Sequence, residues 1–391
     1  MSAAIFWGAI ALVVYVYVGY PCLIFLLAHL RPRPVGKAPI LPTASFVIAA
    51  YNEERVIAGK LENTLALDYP PERLEVMVVS DGSTDATEEI VRSRFAGRVK
   101  LLALPRQGKT LVQNQAVAVA SGEIVVFSDA TTVYQPASLR ALVANFADPE
   151  VGCVTGTTIY RTERAAAVGE GRAAYWNYER FVRSHESRFS SVLGASGCVY
   201  AVRRALYTPL TGDVISDVAQ AIASVAQGYR AVVEDEAIVY EPAESYGIGE
   251  EIERRARVIT RGLRLKFRLR GFFLRHPWFL VQVLSHRVLR WAVPFFLVIA
   301  FAANLFLLDR RAYLFLFLAQ VALYGAAALA YLLERRNVRP PGLVIPLYFC
   351  VVNLAPLLAV RALLRGEKHV TWETGRPTRD LVSGRGRKAR V

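Results

Sequence analysis

Two aspartates and a lysine have the side-chain types and spacing of a site that handles phosphate. Asp81, in Asp81-Gly82-Ser83-Thr84-Asp85, and Asp129, in Asp129-Ala130-Thr131, each follow a short apolar run that reads as a strand. In an open α/β sheet such strand ends face one crevice. Asp81 can accept hydrogen bonds from a base or ribose there, and a second carboxylate at an equivalent strand end suits a nucleotide diphosphate with its Mg²⁺ or Mn²⁺. The competing reading of the pentapeptide is a turn whose Ser, Thr and Asp side chains cap a helix beginning near Ala86. Lys109, at a helix start after Gly108, either neutralises a diphosphate or is simply solvated. Asp217 opens a helical stretch through Gln227 that Gly228 stops, where a carboxylate also suits a cap. Arg254, Arg255, Arg257 and Arg261 recur at helical spacing, as a diphosphate clamp or as a basic stripe on lipid.

Other chemistries fail on particular residues. Gly108-Lys109-Thr110 resembles the tail of a phosphate loop, but Ala103 stands where that motif requires glycine. Gly194-Ala195-Ser196-Gly197 is not a nucleophile elbow, because Cys198 occupies the second glycine position. The four cysteines, Cys22, Cys153, Cys198 and Cys350, stand far apart with no Cys/His cluster, so neither a disulfide framework nor a zinc site is expected. Net charge is +14, concentrated at residues 254–290 and 361–390. Because these stretches abut apolar segments, an anionic lipid surface explains them better than nucleic acid, and no nucleic-acid partner is expected.

The elements that position the site alternate in type. Runs at residues 45–50, 74–80, 99–104 and 124–128 read as strands, each followed by a stretch of helical character. Unbroken apolar runs such as Val76-Met77-Val78-Val79 suit strands covered on both faces, which predicts a mostly parallel, doubly wound sheet. Tyr51-Asn52-Glu53 then sits at the end of the first strand.

The rest of the chain is too apolar for an ordinary soluble enzyme, with 54% hydrophobic residues in 391 and a mean hydropathy of +0.30. Residues 1–30 read as a transmembrane helix, and Arg31, Arg33 and Lys37 directly after it place residues 31–253 in the cytoplasm. Residues 254–290 read as interface helices, with 272–289 held at the surface by Arg275, His276, His286 and Arg287, the alternative being that 272–289 crosses the membrane. Within 291–364, runs at 291–308 and 312–333 form a membrane hairpin. A third run, 343–360, is interrupted by Pro346 and Pro356 and is expected to be re-entrant or interfacial, with a basic cytosolic tail at 365–391.

Taken in order, Ala49-Ala50-Tyr51-Asn52-Glu53, Asp81-Gly82-Ser83-Thr84-Asp85, Gly108-Lys109, Asp129-Ala130-Thr131, Gly194-Ala195-Ser196-Gly197, Asp217 and Arg254-Arg255-Ala256-Arg257 resemble a known set. The chain is similar to membrane-bound family 2 glycosyltransferases with a GT-A domain, related to cellulose, hyaluronan and chitin synthases. The resemblance implies an α/β, Rossmann-like GT-A domain flanked by membrane helices. It implies a donor nucleotide site of Tyr51, Glu53, Asp81, Lys109, Asp129 and Arg257, a metal (Mg²⁺ or Mn²⁺) on Asp129, an acceptor site at Ser196 and Gly197, and Asp217 as general base. Thr131 stands where the second carboxylate of the DxD motif would be, Ser216 replaces the acidic neighbour of the base, and Arg254 and Val258 replace the Gln and Trp of QxxRW. The run at 368–372 resembles a cytoplasmic tail of related transferases.

The implied activity is inverting transfer from a nucleotide sugar, in the first instance a UDP-sugar, to a hydroxyl of a growing polysaccharide or lipid-linked glycan at the inner (plasma) membrane. An exporter or a second copy of the chain is a candidate partner. Two rival readings are a transferase that glycosylates a lipid once, and an inactive membrane-tethered nucleotide or lipid receptor.

Overall fold

The computed structural model describes residues 1–161, 167–242, 248–268, 270–336, 338 and 341–365. The basic tail beyond Arg365, with the run at 368–372, lies outside the described residues, as does the side chain of Arg254. The chain divides into two compact units.

One unit comprises Pro34–Arg161 and Ser190–Pro242 and is built on a single eight-stranded sheet. Its strands are β1 (Ala44–Ala50), β2 (Leu74–Asp81), β3 (Lys100–Leu104), β4 (Ile124–Asp129), β5 (Val133–Tyr134), β6 (Val151–Arg161), β7 (Tyr200–Arg203) and β8 (Arg230–Pro242), in the order β3-β2-β1-β4-β7-β6-β8-β5. The four expected strands, β1 to β4, form the parallel half. β1 is buried along its whole length because helices cover both faces. Phe46 and Ile48 pack with Ile57, Leu61, Leu139 and Leu142, while Val47 packs oppositely with Val112, Ala116 and Phe127. Each such buried side chain stabilises by about 1.5–3 kcal/mol.

The other half corrects the doubly wound expectation. β7 runs antiparallel to both β4 and β6, β8 is parallel to β6, and β5 is antiparallel to β8. These strands escape a reading by apolar runs for local reasons. β5 and β7 have two and four residues. β8 carries Glu234, Asp235 and Glu236 midway, beside a register shift between Thr155 and Thr157 of β6.

The second unit comprises Met1–Arg33, Thr162–Phe189 and Ala243–Lys368. Its described residues hold four helices long and apolar enough to cross a membrane: Ser2–Leu30, Pro277–Leu305, Arg311–Glu334 and Val344–Ala362. Phe6 and Ala9 of the first pack against Ala300 and Ala303 of the second. The helix Ile248–Arg268 turns Ile252, Ala256 and Ile259 onto Leu347, Val351, Ala355 and Ala359, so its apolar face is taken by protein. Arg255 points the same way and donates to the Tyr348 hydroxyl at 2.6 Å.

One expectation for this unit changes. The 272–289 stretch is not a separate interface helix. Pro277–Val283 continues through the π turn Leu284–Val288 into Leu289–Leu305. The charges that argued against this are met by carboxylates on the helix Ala167–Phe189. His286 donates from Nδ1 to Glu186 at 2.7 Å, and Glu179 receives Arg287 at 2.9 Å and Arg290. Burial works to raise the Glu179 carboxyl, but Arg287, Arg290 and His286 outweigh it and hold it well below the usual range. Buried charges are tolerated only when paired in this way. The 343–360 run, expected to be re-entrant or interfacial, is one continuous helix, Val344–Leu364, with Pro356 inside it. Neighbouring helices can compensate a proline break in an apolar helix.

Candidate functional site

The site lies in the sheet unit, at the carboxyl edge of the parallel strands. In the β-ladder Ala50 pairs with Ser80 and Ala49 with Asp129, so Asp81 and Asp129 flank the end of β1 on either side.

Asp81 is fully buried, and its carboxylate is engaged within the protein. It accepts from Arg106 Nη1 at 2.6 Å, from the Gln107 amide at 2.7 Å and from the Gly108 amide at 3.0 Å. It thereby fixes the 105–108 turn and the start of the helix Lys109–Val119. Gly82 has φ +71°, and a methyl group there would come within 2.8 Å of the Arg106 amide, so this turn requires glycine. The Arg106 guanidinium lies 3.3 Å from the centre of the Tyr51 ring, forming a flat cationic and aromatic surface. Asp85 Oδ1 accepts the Thr87 amide at 3.0 Å, just ahead of the helix Thr87–Arg94, whose N-cap position is taken by Ala86. Ser83 and Thr84 instead tie down the 51–56 loop: Ser83 accepts the Asn52 amide at 3.1 Å, and the Thr84 amide donates to Asn52 at 2.8 Å. Glu53 is buried, its amide bonded to Thr87 and its carbonyl capping the next helix.

Four of the expected residues converge. Lys109 donates to Asp129 Oδ1, and Cys198 offers its thiol to Asp129 Oδ2 at 3.8 Å. Burial works to lower the Lys109 pKa, but Asp129 and then Asp217 outweigh it and raise it above its ordinary value, so the lysine stays charged. Burial, then Glu241 and Asp129, push the Cys198 thiol well up, which keeps it a neutral donor. Asp217 opens the helix Ser216–Ala226 and accepts its neighbour's amide, from Val218, at 2.9 Å. A methyl group placed on Gly197 would lie 3.1 Å from Asp217 Oδ2 and 3.5 Å from Lys109 Nζ. Gly197 therefore marks the point where Asp217 and Lys109 meet, with Lys109 in turn bonded to Asp129. The Asp129 and Lys109 side chains remain 34% and 27% exposed, open to a ligand. Ser196 turns away: its amide donates to Thr155 at 2.9 Å and its hydroxyl meets Thr158 at 3.0 Å. Arg257 belongs to the other unit, on the helix Ile248–Arg268, and is exposed.

Three residues here escape a reading of motifs. Arg106 is a lone cation one turn before Lys109, and Glu241 follows no motif at all. Lys60 did leave a signal, because it shares a helix face with Ile57, Leu61 and Thr64 and is buried with them. Its ammonium donates to the Thr132 carbonyl at 2.7 Å and lies 4.4 Å from the Tyr134 ring centre. Burial pushes its pKa down to about 7, against the opposing pull of Glu241 and Asp129. An unfolded lysine titrates near 10.4, so between these values the unfolded chain binds the extra proton and stability rises with pH. The thermal unfolding midpoint of the parent relative to Lys60→Met is expected to climb between pH 7 and 9, a gain of roughly 2 kcal/mol. A difference that stays flat over that window would remove this account of Lys60.

Residues 45–209 match the family model described as Glycosyl transferase family 2. Over 137 residues the chain is 31% identical to a poly-β-1,6-N-acetyl-D-glucosamine synthase of Staphylococcus aureus, spanning 34% of this chain and 33% of that one. Over 131 residues it is 35% identical to a β-monoglucosyldiacylglycerol synthase of Nostoc sp., spanning 32% and 28%. The chain thus covers about a third of the length of the curated relatives it matches. Among solved structures, a mannosyltransferase from Pyrobaculum calidifontis in complex with GDP-Man and Mn²⁺ superposes with a TM-score of 0.68 at 24% identity, covering 94% of this chain and 100% of that one, which identifies the GT-A fold. The residues that build this carboxylate edge, among them Asp81, Lys109 and Asp129, thus lie in a segment that matches the family 2 glycosyltransferases.

Proposed function

We propose that the protein transfers a sugar, with inversion, from a nucleotide-sugar donor to a hydroxyl of a glycan or a lipid-linked acceptor at the inner (plasma) membrane. The observation that carries this reading is the approach of Asp217 and Lys109 to Gly197, with Lys109 bonded to Asp129. A cation paired with a partly exposed carboxylate suits a diphosphate and its counter-ion. A second carboxylate beside them, with no side chain intervening at Gly197, suits a base that acts on an incoming hydroxyl.

In this mechanism the Tyr51 and Arg106 surface receives the base, and Asp81 keeps that surface and the 105–108 turn in place. Asp217 takes the acceptor proton as the acceptor oxygen attacks the anomeric carbon from the face opposite the leaving diphosphate. Lys109 stabilises the negative charge that grows on the departing group. Arg257 is assigned to the same diphosphate by the family pattern. Asp129 is a hard oxygen donor of the kind Mg²⁺ and Mn²⁺ prefer, and no group of three or more ligating side chains exists among the described residues. Asp129 would hold such an ion, which would supply charge stabilisation to the leaving diphosphate. Arg31, Arg33 and Lys37 after the first apolar helix support a cytoplasmic sheet unit.

The named relatives act on different acceptors, one making a polymer and the other a glycolipid, so both acceptor classes belong in the test. Purified protein in lipid nanodiscs is expected to release nucleoside diphosphate from one member of a panel of UDP- and GDP-sugars, with release stimulated by Mn²⁺ or Mg²⁺ and by the correct acceptor. Diphosphate release from no donor, with or without diacylglycerol or oligosaccharide acceptors, would overturn the reading and favour a receptor.

A further inference from the structure

The 129–132 loop carries one carboxylate where the family pattern has two, and Thr131 occupies the second position. The structure delivers a second carboxylate to that loop from a distant strand. β5 and β8 pair antiparallel with Val133 opposite Tyr240, which brings Glu241 alongside Thr132. The Thr131 hydroxyl donates to Glu241 Oε1 and the Thr132 hydroxyl to Oε2, both at 2.6 Å. Both threonines are buried, at 6% and 0% exposure, so these are committed bonds and not exchangeable surface contacts. Asp129 ends β4 two residues before Thr131, so the loop that Glu241 holds is the one that begins at Asp129.

A hydroxyl that gives its proton to a carboxylate presents only lone pairs to anything else, and its oxygen becomes a better ligand for a hard cation. We propose that Thr131 and Glu241 together form the second acidic element of the donor site, Thr131 Oγ1 supplying the lone pairs and Glu241 the negative charge toward the divalent cation that accompanies the diphosphate. Lys60, bonded to the Thr132 carbonyl, braces the loop from within. The inference deepens the donor-site reading above and rests on it.

The test measures Mn²⁺ affinity by electron paramagnetic resonance of free Mn²⁺, on full-length protein in nanodiscs with saturating UDP and, in parallel, GDP. Three proteins are compared: parent, Glu241→Gln and the double variant Glu241→Gln/Thr131→Asp. Removal of a carboxylate that orients a metal ligand typically costs about 10- to 100-fold in metal affinity, so Glu241→Gln is expected to weaken Mn²⁺ by at least ~10-fold. Affinity for the nucleotide without metal should be unchanged, and Thr131→Asp should restore most of the Mn²⁺ binding by returning the carboxylate to the loop. A merely structural brace predicts otherwise. If Glu241→Gln binds Mn²⁺ as the parent does, or loses metal-free nucleotide binding equally, or is not rescued by Thr131→Asp, the assignment is wrong while the donor-site reading stands. If the parent itself binds no Mn²⁺ with either nucleotide, both fall together.

Discussion

Asp217→Asn lowers turnover by roughly 10² to 10⁴ and leaves nucleotide binding intact; this is the largest effect expected of any single substitution in the protein. The amide has the size of the carboxylate and can keep the bond from the Val218 amide, so the helix start is preserved. It cannot accept the acceptor's proton. Lys109 loses one of the two carboxylates that keep it charged but retains its hydrogen bond to Asp129. Affinity for the diphosphate should therefore change little while the chemical step fails. Single-turnover release measured beside calorimetric binding of the nucleotide separates the two quantities. Turnover equal to that of the parent would show that another group removes the proton.

Gly197→Val is expected to cost about 10²-fold in turnover by a different route, because it changes no charge. Even a single methyl group would stand 3.1 Å from Asp217 Oδ2 and 3.5 Å from Lys109 Nζ, and the two further carbons of valine must enter the space between them. Either the carboxylate or the ammonium must give way, or the acceptor must be excluded. The Tyr51 and Arg106 surface is built from other loops, so binding of the nucleoside alone should survive. The check is turnover against nucleoside monophosphate affinity in the same preparation. A variant that keeps parental turnover would mean that no reacting group approaches through Gly197, and the convergence would lose its catalytic meaning.

The glycine's importance was only partly legible in advance. Gly194-Ala195-Ser196-Gly197 stands out as a motif, but the chain alone does not say which residue faces the site. The structure turns Ser196 onto Thr155 and Thr158 and leaves Gly197 at the meeting point. Asp81 shows the same division. Its position at a strand end follows from the apolar run before it, whereas its bonds to Arg106, Gln107 and Gly108 come from a loop more than twenty residues away. Lys60 is the intermediate case, since a lysine on the apolar face of a short helix is visible as a pattern even though its partner is not.

Local chemistry in the chain was enough to determine β1 to β4, the apolar helices near the two ends, and Lys109, Asp129 and Asp217 as candidates, because strand and helix periodicity and residue type are short-range properties. Tertiary structure alone decided the antiparallel half of the sheet, the continuous helix through His286 and Arg290, and the carboxylate at Thr131. In the last two cases a polar or charged group is made tolerable by a partner far along the chain: Glu241 lies 110 residues from Thr131, and Glu179 lies 111 residues from Arg290. Burial of such groups depends on whether a counter-group arrives, and that is a property of the folded neighbourhood and not of the sequence around either residue.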